Sequence, residues 1–277
     1  MKANETASEY GGMARDGNLD ATQLTHTASA EVNTSVVISI FLMVGAEVVT
    51  SAVGVLAGVL LYCGLTIGFV TFAYLTRYNR ARQIFLAFTL LPLLRILSVV
   101  LVIPRLLPYL QYALIGFPIL VTALIISRTS HLRVLRSHLD ETERIWQIAF
   151  AVIGIPLGVA AYLVLPSQAH LIYASSPLTT ILVWVSLTLF GSVTEEIVFR
   201  GVIQKTLFPV YGSFSIIISS VLYASMFLGT LSLMTVVFYF IIGLLFGFWA
   251  RATKSITGPI LAHVLLNAIM LAFLTIL

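Results

Sequence analysis

Residues 171–200 read LIYASSPLTTILVWVSLTLFGSVTEEIVFR, and the spacing of charge along them decides the fold. From Leu171 to Val193 there is no Asp, Glu, Lys or Arg; then Glu195, Glu196 and Arg200 arrive within six residues. About 20 apolar residues suffice to cross a hydrocarbon core of about 30 Å, so 178–200 reads as a transmembrane helix. A carboxylate inside a bilayer costs roughly 2.5–3.5 kcal/mol on insertion scales, which makes Glu195 and Glu196 functional candidates.

Outward from this run the chain keeps the same character. It is 59% hydrophobic and 9% charged over 277 residues, with a mean hydropathy of +1.04. Soluble domains carry about a quarter charged residues. The expected class is therefore all-α, a polytopic transmembrane helix bundle. The apolar stretch Ser35 to Thr76 would run about 63 Å as a single helix, so it divides into 35–50 and 52–76, with Glu47 marking the first piece as interfacial or packed. Further spans are expected at 84–103, 109–127, 145–165, 178–200, 213–229, 232–250 and 257–277. Together they make about eight spans plus a possible interfacial N-terminal helix. Residues 1–34 read as a disordered polar tail, 35–165 as N-terminal transmembrane helices and 178–277 as the part that carries the chemistry. Roughly thirty polar residues precede the first apolar run, which does not resemble a secretory leader.

Fifteen basic and eleven acidic residues leave a net charge of +4, and topology explains it. Arg77, Arg80 and Arg82 fall in one loop, and Arg128, Arg133, Arg136 and Arg144 in another. Arg200 with Lys205, and Arg251 with Lys254, fall in two more. When the spans alternate, all four loops reach one side, which is the cytoplasmic one. The expected setting is the plasma membrane of a prokaryote, with the lipid bilayer as a partner and no nucleic acid. Cys63 is the only cysteine, which excludes an internal disulfide or a Cys-based metal site. The pairs Gly54/Gly58, Gly64/Gly68, Gly154/Gly158 and Gly243/Gly247 read as close helix packing. Glu47 and Arg95 read as an ion pair or packed polar contact between early spans. His26, His131, His138 and His170 read as solvated polar residues.

Two constellations remain. Glu196 and Arg200 are four apart on a helix and can pair, whereas Glu195 points about 100° away and must face protein, water or substrate. In the last span His263 and Asn267 are also four apart. Continuing the helix of Glu195 to a turn at Pro209–Gly212 brings the returning segment level with it at Phe227. His263, a few residues past the Lys254–Gly258 turn, lies at a similar shallow depth. Glu195 and His263 are thus expected to converge on a water-containing pocket open to the cytoplasm.

Over roughly residues 178–270 these motifs resemble those of the CAAX protease and bacteriocin-processing (CPBP/Abi) family of intramembrane glutamate endopeptidases. Its first motif, two glutamates, three residues and an arginine, matches Glu195, Glu196 and Arg200. Its last, His, three residues and Asn or Asp, matches His263 and Asn267. Its middle motif, an aromatic, three residues and a histidine, is kept at Tyr223 but broken at Phe227. The resemblance implies that Glu195 is a general base on a water that attacks a peptide carbonyl, and that His263 and Asn267 polarise that carbonyl. Glu196, Arg200, Tyr223 and Phe227 would support the site. The substrate would be a peptide or lipidated protein, with no cofactor. One histidine and one or two carboxylates fall short of the three protein ligands of a typical catalytic zinc.

A phenyl ring neither accepts nor donates a proton, so the water loses a partner worth about 10²–10⁴-fold in general acid–base help. The Tyr223 hydroxyl could hold the water but is a poor base at neutral pH, and His170 belongs to the opposite side. Two functions stay open. The chain is either a membrane-embedded endopeptidase, or an inactive relative whose pocket binds a hydrophobic peptide, lipidated chain or partner helix.

Overall fold

A computed structural model describes residues 21–101, 108–134, 139–165 and 177–276. They form helices α1 (Ala21–Ala52), α2 (Val55–Leu75), α3 (Asn79–Phe88) and α4 (Leu90–Val100). These are followed by α5 (Pro108–Thr129), α6 (Glu141–Ala151), α7 (Gly154–Val164) and the long α8 (Leu178–Tyr211). The chain ends with α9 (Phe214–Ser225), α10 (Leu233–Thr253) and α11 (Thr257–Ile276). Among the described residues there is no strand. The protein is a polytopic helical membrane bundle.

Among the described residues seven stretches are long and apolar enough to cross a bilayer: Asn33–Ala52, Val55–Leu75, Asn79–Val100, Tyr109–Thr129, Glu141–Val164, Leu178–Tyr211 and Leu233–Thr253. Of the two remaining expected spans, 213–229 is the shorter apolar stretch Phe214–Thr230, and 257–277 is matched by the 20 residues of α11, Thr257–Ile276. The first of them breaks early because α9 gives way at Ser225 to turns and a short 3₁₀ segment, Leu228–Thr230. Helix α1 begins at Ala21, inside the stretch expected to be a disordered tail. The rest of that expectation, residues 1–20, lies outside the described residues, as do His138 and His170.

The chain divides into two compact units, Met1–Leu42 and Met43–Leu277. The first contributes the leading part of α1. In the second, the long apolar stretch breaks at Gly54, whose φ of +135° is closed to residues with a Cβ. Glu47 is buried and meets Arg95 of α4 side-on, with Nε 2.6 Å from Oε1 and Nη2 donating to Oε2 at 2.7 Å. It is therefore a packed group rather than an interfacial one. Helix α6 starts with a capping box: Asp140 accepts from the Glu143 N–H and Glu143 from the Asp140 N–H.

Two of the small-residue pairs bring helices together around the C-terminal core. A Cβ at Gly154 or Gly158 would run into Ala262, Leu265, Leu266 and Ile269 of α11; at Gly243 or Gly247 it would meet Ser220 and Ile216 of α9. Nothing lies within 4 Å of a Cβ built at Gly64 or Gly68. Of the four early glycines only Gly58 packs closely, against Thr50 of α1, so the close packing expected of all four pairs operates there and in the later helices. Helix α11 rests on α6, α7 and α8, α9 lies along α10, and α5 covers the middle of α8.

Candidate active site

Helix α8 is wound unusually where its charges sit. Leu187–Val193 and Ile197–Ile203 are π-helical turns on either side of a short α-helical piece, Thr194–Glu196. Such i→i+5 winding is rare and gathers at functional sites. The helix runs on past Arg200 to Tyr211, and Gly212 makes the turn with φ +55°. Helix α9 returns beside it, tied by the Ser219 hydroxyl donating to the Phe199 carbonyl at 3.0 Å.

Glu196 is fully buried and is the hub of the site. Its Oε1 accepts from Arg200 Nη1 at 2.9 Å and lies 2.9 Å from His263 Nδ1. The Arg200 guanidinium, itself 1% exposed, lies over the Tyr223 ring at 4.6 Å and the Phe246 ring at 5.6 Å. Both rings offer a π face to a cation that has little water. The other imidazole nitrogen, His263 Nε2, is 3.9 Å from Glu195 Oε2. Imidazole therefore stands between the two carboxylates, bonded to Glu196 and beyond hydrogen-bond length from Glu195. The Glu195 side chain keeps 28% of its surface accessible, against 0% for Glu196.

This arrangement fixes which nitrogen carries hydrogen. A carboxylate oxygen that already accepts from arginine can only accept from imidazole, so Nδ1 is the protonated atom and Nε2 is turned to Glu195. Asn267, one helical turn beyond His263, donates from Nδ2 to the Ser192 hydroxyl at 2.8 Å.

Phe227 belongs to an aromatic stack in this region. Its ring lies face to face with Tyr239, with centroids 3.5 Å apart and planes 7° from parallel, and meets Tyr223 edge-on at 5.6 Å. Tyr223 in turn abuts Phe199 at 4.9 Å and Tyr239 at 5.7 Å.

The geometry thus brings Glu195, Glu196, Arg200, Tyr223 and His263 together. It differs from expectation in one respect: the carboxylate nearest His263 is Glu196, not Glu195. Two participants were not foreseen. Ser192 lies four residues before Glu196, on its face of α8, and that spacing was the available signal. Tyr239 carries no sequence signal, being one aromatic among many in an apolar helix. Among the described residues no group of three or more His, Cys, Asp or Glu is placed to hold a metal ion.

Residues 177–269 match the family described as Type II CAAX prenyl endopeptidase Rce1-like, a CPBP-type family. No curated protein and no solved structure matches the chain.

Proposed function

We propose, for a chain whose residues 177–269 form an Rce1-like segment, that it is an intramembrane endopeptidase in which Glu195 activates water for peptide-bond hydrolysis near the cytoplasmic face. The family points to membrane CAAX protease activity. The observation that carries the finer reading is the imidazole of His263 held between two carboxylates, 2.9 Å from Glu196 and 3.9 Å from Glu195.

In this mechanism the two glutamates have different tasks. Glu196 is clamped by Arg200 and orients His263 through Nδ1, as a carboxylate orients a catalytic imidazole elsewhere. Glu195, partly accessible, takes a proton from water. Its Oε2 and His263 Nε2 are close enough for one water to contact both, so His263 supplies the partner that Phe227 cannot. The hydroxide forms its bond to the scissile carbonyl carbon as the proton moves to Glu195. The second Nδ2 hydrogen of Asn267 is a donor for the resulting oxyanion. Collapse of the intermediate breaks the C–N bond, with Glu195 returning its proton to the leaving amine. The four clusters of basic residues support a cytoplasmic placement of this end of the bundle.

Glu195→Gln in purified protein is expected to lower cleavage of a prenylated CAAX reporter peptide by at least about 10²-fold. Unchanged turnover would remove Glu195 from the chemistry. The face-to-face stack of Phe227 on Tyr239, at the position where the family resemblance implies a histidine, favours a second reading. In that reading the pocket binds a hydrophobic or lipidated chain without cleaving it. Wild-type protein would then show no turnover, and Phe227→His would restore some.

A further inference from the structure

A cavity of about 1240 Å³ opens at the basic end of the bundle, between α6, the last turns of α8 and the end of α10. Five cations line it: Arg133, Arg200, Lys205, Arg251 and Lys254. Glu143 is the one acidic side chain in the lining, and its carboxylate caps its own helix by accepting from the Asp140 N–H at 3.2 Å. The cations are differently employed. Lys205 Nζ donates to the carbonyls of Arg133 and Val134 at 2.6 and 3.2 Å, which pins the 133–134 loop to α8. The Arg251 guanidinium lies over the Phe208 ring, with Cζ 3.6 Å from its centroid. Arg133, Arg251 and Lys254 are exposed, whereas Arg200 is buried, so the cavity runs inward from a charged mouth. At its buried end Arg200 Nη2 has no hydrogen-bond partner among the described residues.

The positive-inside tendency accounts for basic residues at this end of the helices. It does not account for their convergence on one cavity, nor for a buried guanidinium nitrogen there without an acceptor. A carboxylate needs one two-pronged donor; several cations arriving from two helices and two loops suit an oxyanion with oxygens on all sides. Next to the mouth, Ile145, Trp146 and Ile148 of α6 are exposed apolar side chains, as expected where acyl chains meet the headgroup layer.

We propose that this cavity is a phosphate-binding site, occupied by the phosphate of an anionic lipid headgroup or by free phosphate. Basic pockets between transmembrane helices are suited to such headgroups. The site does not depend on the catalytic reading, since neither Glu195 nor His263 lines it. It does share Arg200 with that reading, so a bound phosphate and Glu196 would draw on opposite edges of one guanidinium.

Two of the three tryptophans, Trp146 and Trp249, line the cavity and report on it directly. The full chain carrying Trp184→Phe is titrated in neutral detergent with dihexanoyl-phosphatidylglycerol, dihexanoyl-phosphatidylcholine and inorganic phosphate at constant ionic strength. The expected result is a saturable fluorescence change with phosphatidylglycerol, weakened at least tenfold in affinity by Arg251→Gln with Lys254→Gln and largely kept by Arg251→Lys. An equal response to inorganic phosphate would assign the site to free phosphate; a response to the lipid alone would assign it to headgroups. Should the double variant fail to purify as a monodisperse protein, the exposed Arg133→Gln must weaken binding instead. The proposal falls if neither phosphate compound gives a saturable signal, or if phosphatidylcholine acts as well as phosphatidylglycerol. It also falls if a short peptide carboxylate saturates the signal where phosphate does not, or if the substitutions leave affinity unchanged.

Discussion

At the scale of single residues, the paired glutamates divide into a structural and a reactive member, and stability separates them. Glu196 is fully buried and holds two partners. Replacing it with Gln leaves the Arg200 charge buried without its counter-ion, a loss of about 3–5 kcal/mol when a buried pair is broken. Glu195 has 28% of its side chain accessible, and His263 Nε2 is 3.9 Å away, beyond hydrogen-bond length. Glu195→Gln should therefore change stability by less than about 1 kcal/mol, within the range of substitutions away from buried networks, while removing activity. Thermal unfolding of both variants in the same detergent tests the division; equal destabilisation would contradict it. The pairing of Glu196 with Arg200 was legible from their i,i+4 spacing. The bond from Glu196 to His263 was not, because 67 residues separate the two partners.

At the scale of elements, the site depends on how closely α7 and α8 approach α11, the helix that carries His263 and Asn267. Gly158 makes one of these approaches: a Cβ there would press on Ile269 and the Leu266 carbonyl. Gly158→Leu should push α7 away and cost at least about 1–3 kcal/mol of overpacking. It should lower activity as well, by displacing His263 from Glu196. Gly68→Leu meets open space and, with the better helix propensity of leucine, should leave unfolding temperature nearly unchanged. Parallel melting curves and turnover measurements distinguish the two. Both glycines belong to the same four-residue pattern, so the pattern alone could not say which of them touches a neighbouring helix. The π turns of α8 were likewise invisible, since the run 187–203 reads as an ordinary apolar helix.

At the scale of the whole molecule, one buried ion pair ties α1 to α4 across 48 residues of chain, between Glu47 and Arg95. Glu47→Gln should destabilise the bundle by about 3 kcal/mol, and an apolar double replacement, Glu47→Leu with Arg95→Met, should recover most of the loss. A double replacement as unstable as the single one would show that the pair is needed for more than mutual neutralisation. The sequence by itself determined that this chain is a membrane-spanning helical bundle. Transfer of apolar residues into lipid is close to a sum over consecutive side chains, and backbone groups there must bond within their own helix. It also determined the residue types available for chemistry, because a charge kept at membrane depth needs a reason. Only the tertiary structure decided which faces meet. It set His263 between the two glutamates, joined Asn267 to Ser192, and laid Phe227 against Tyr239. It also drew Arg133, Arg200, Lys205, Arg251 and Lys254 around one cavity. Those outcomes depend on the rotation and separation of helices distant in sequence, set by glycine contacts and local changes of winding that hydropathy does not encode.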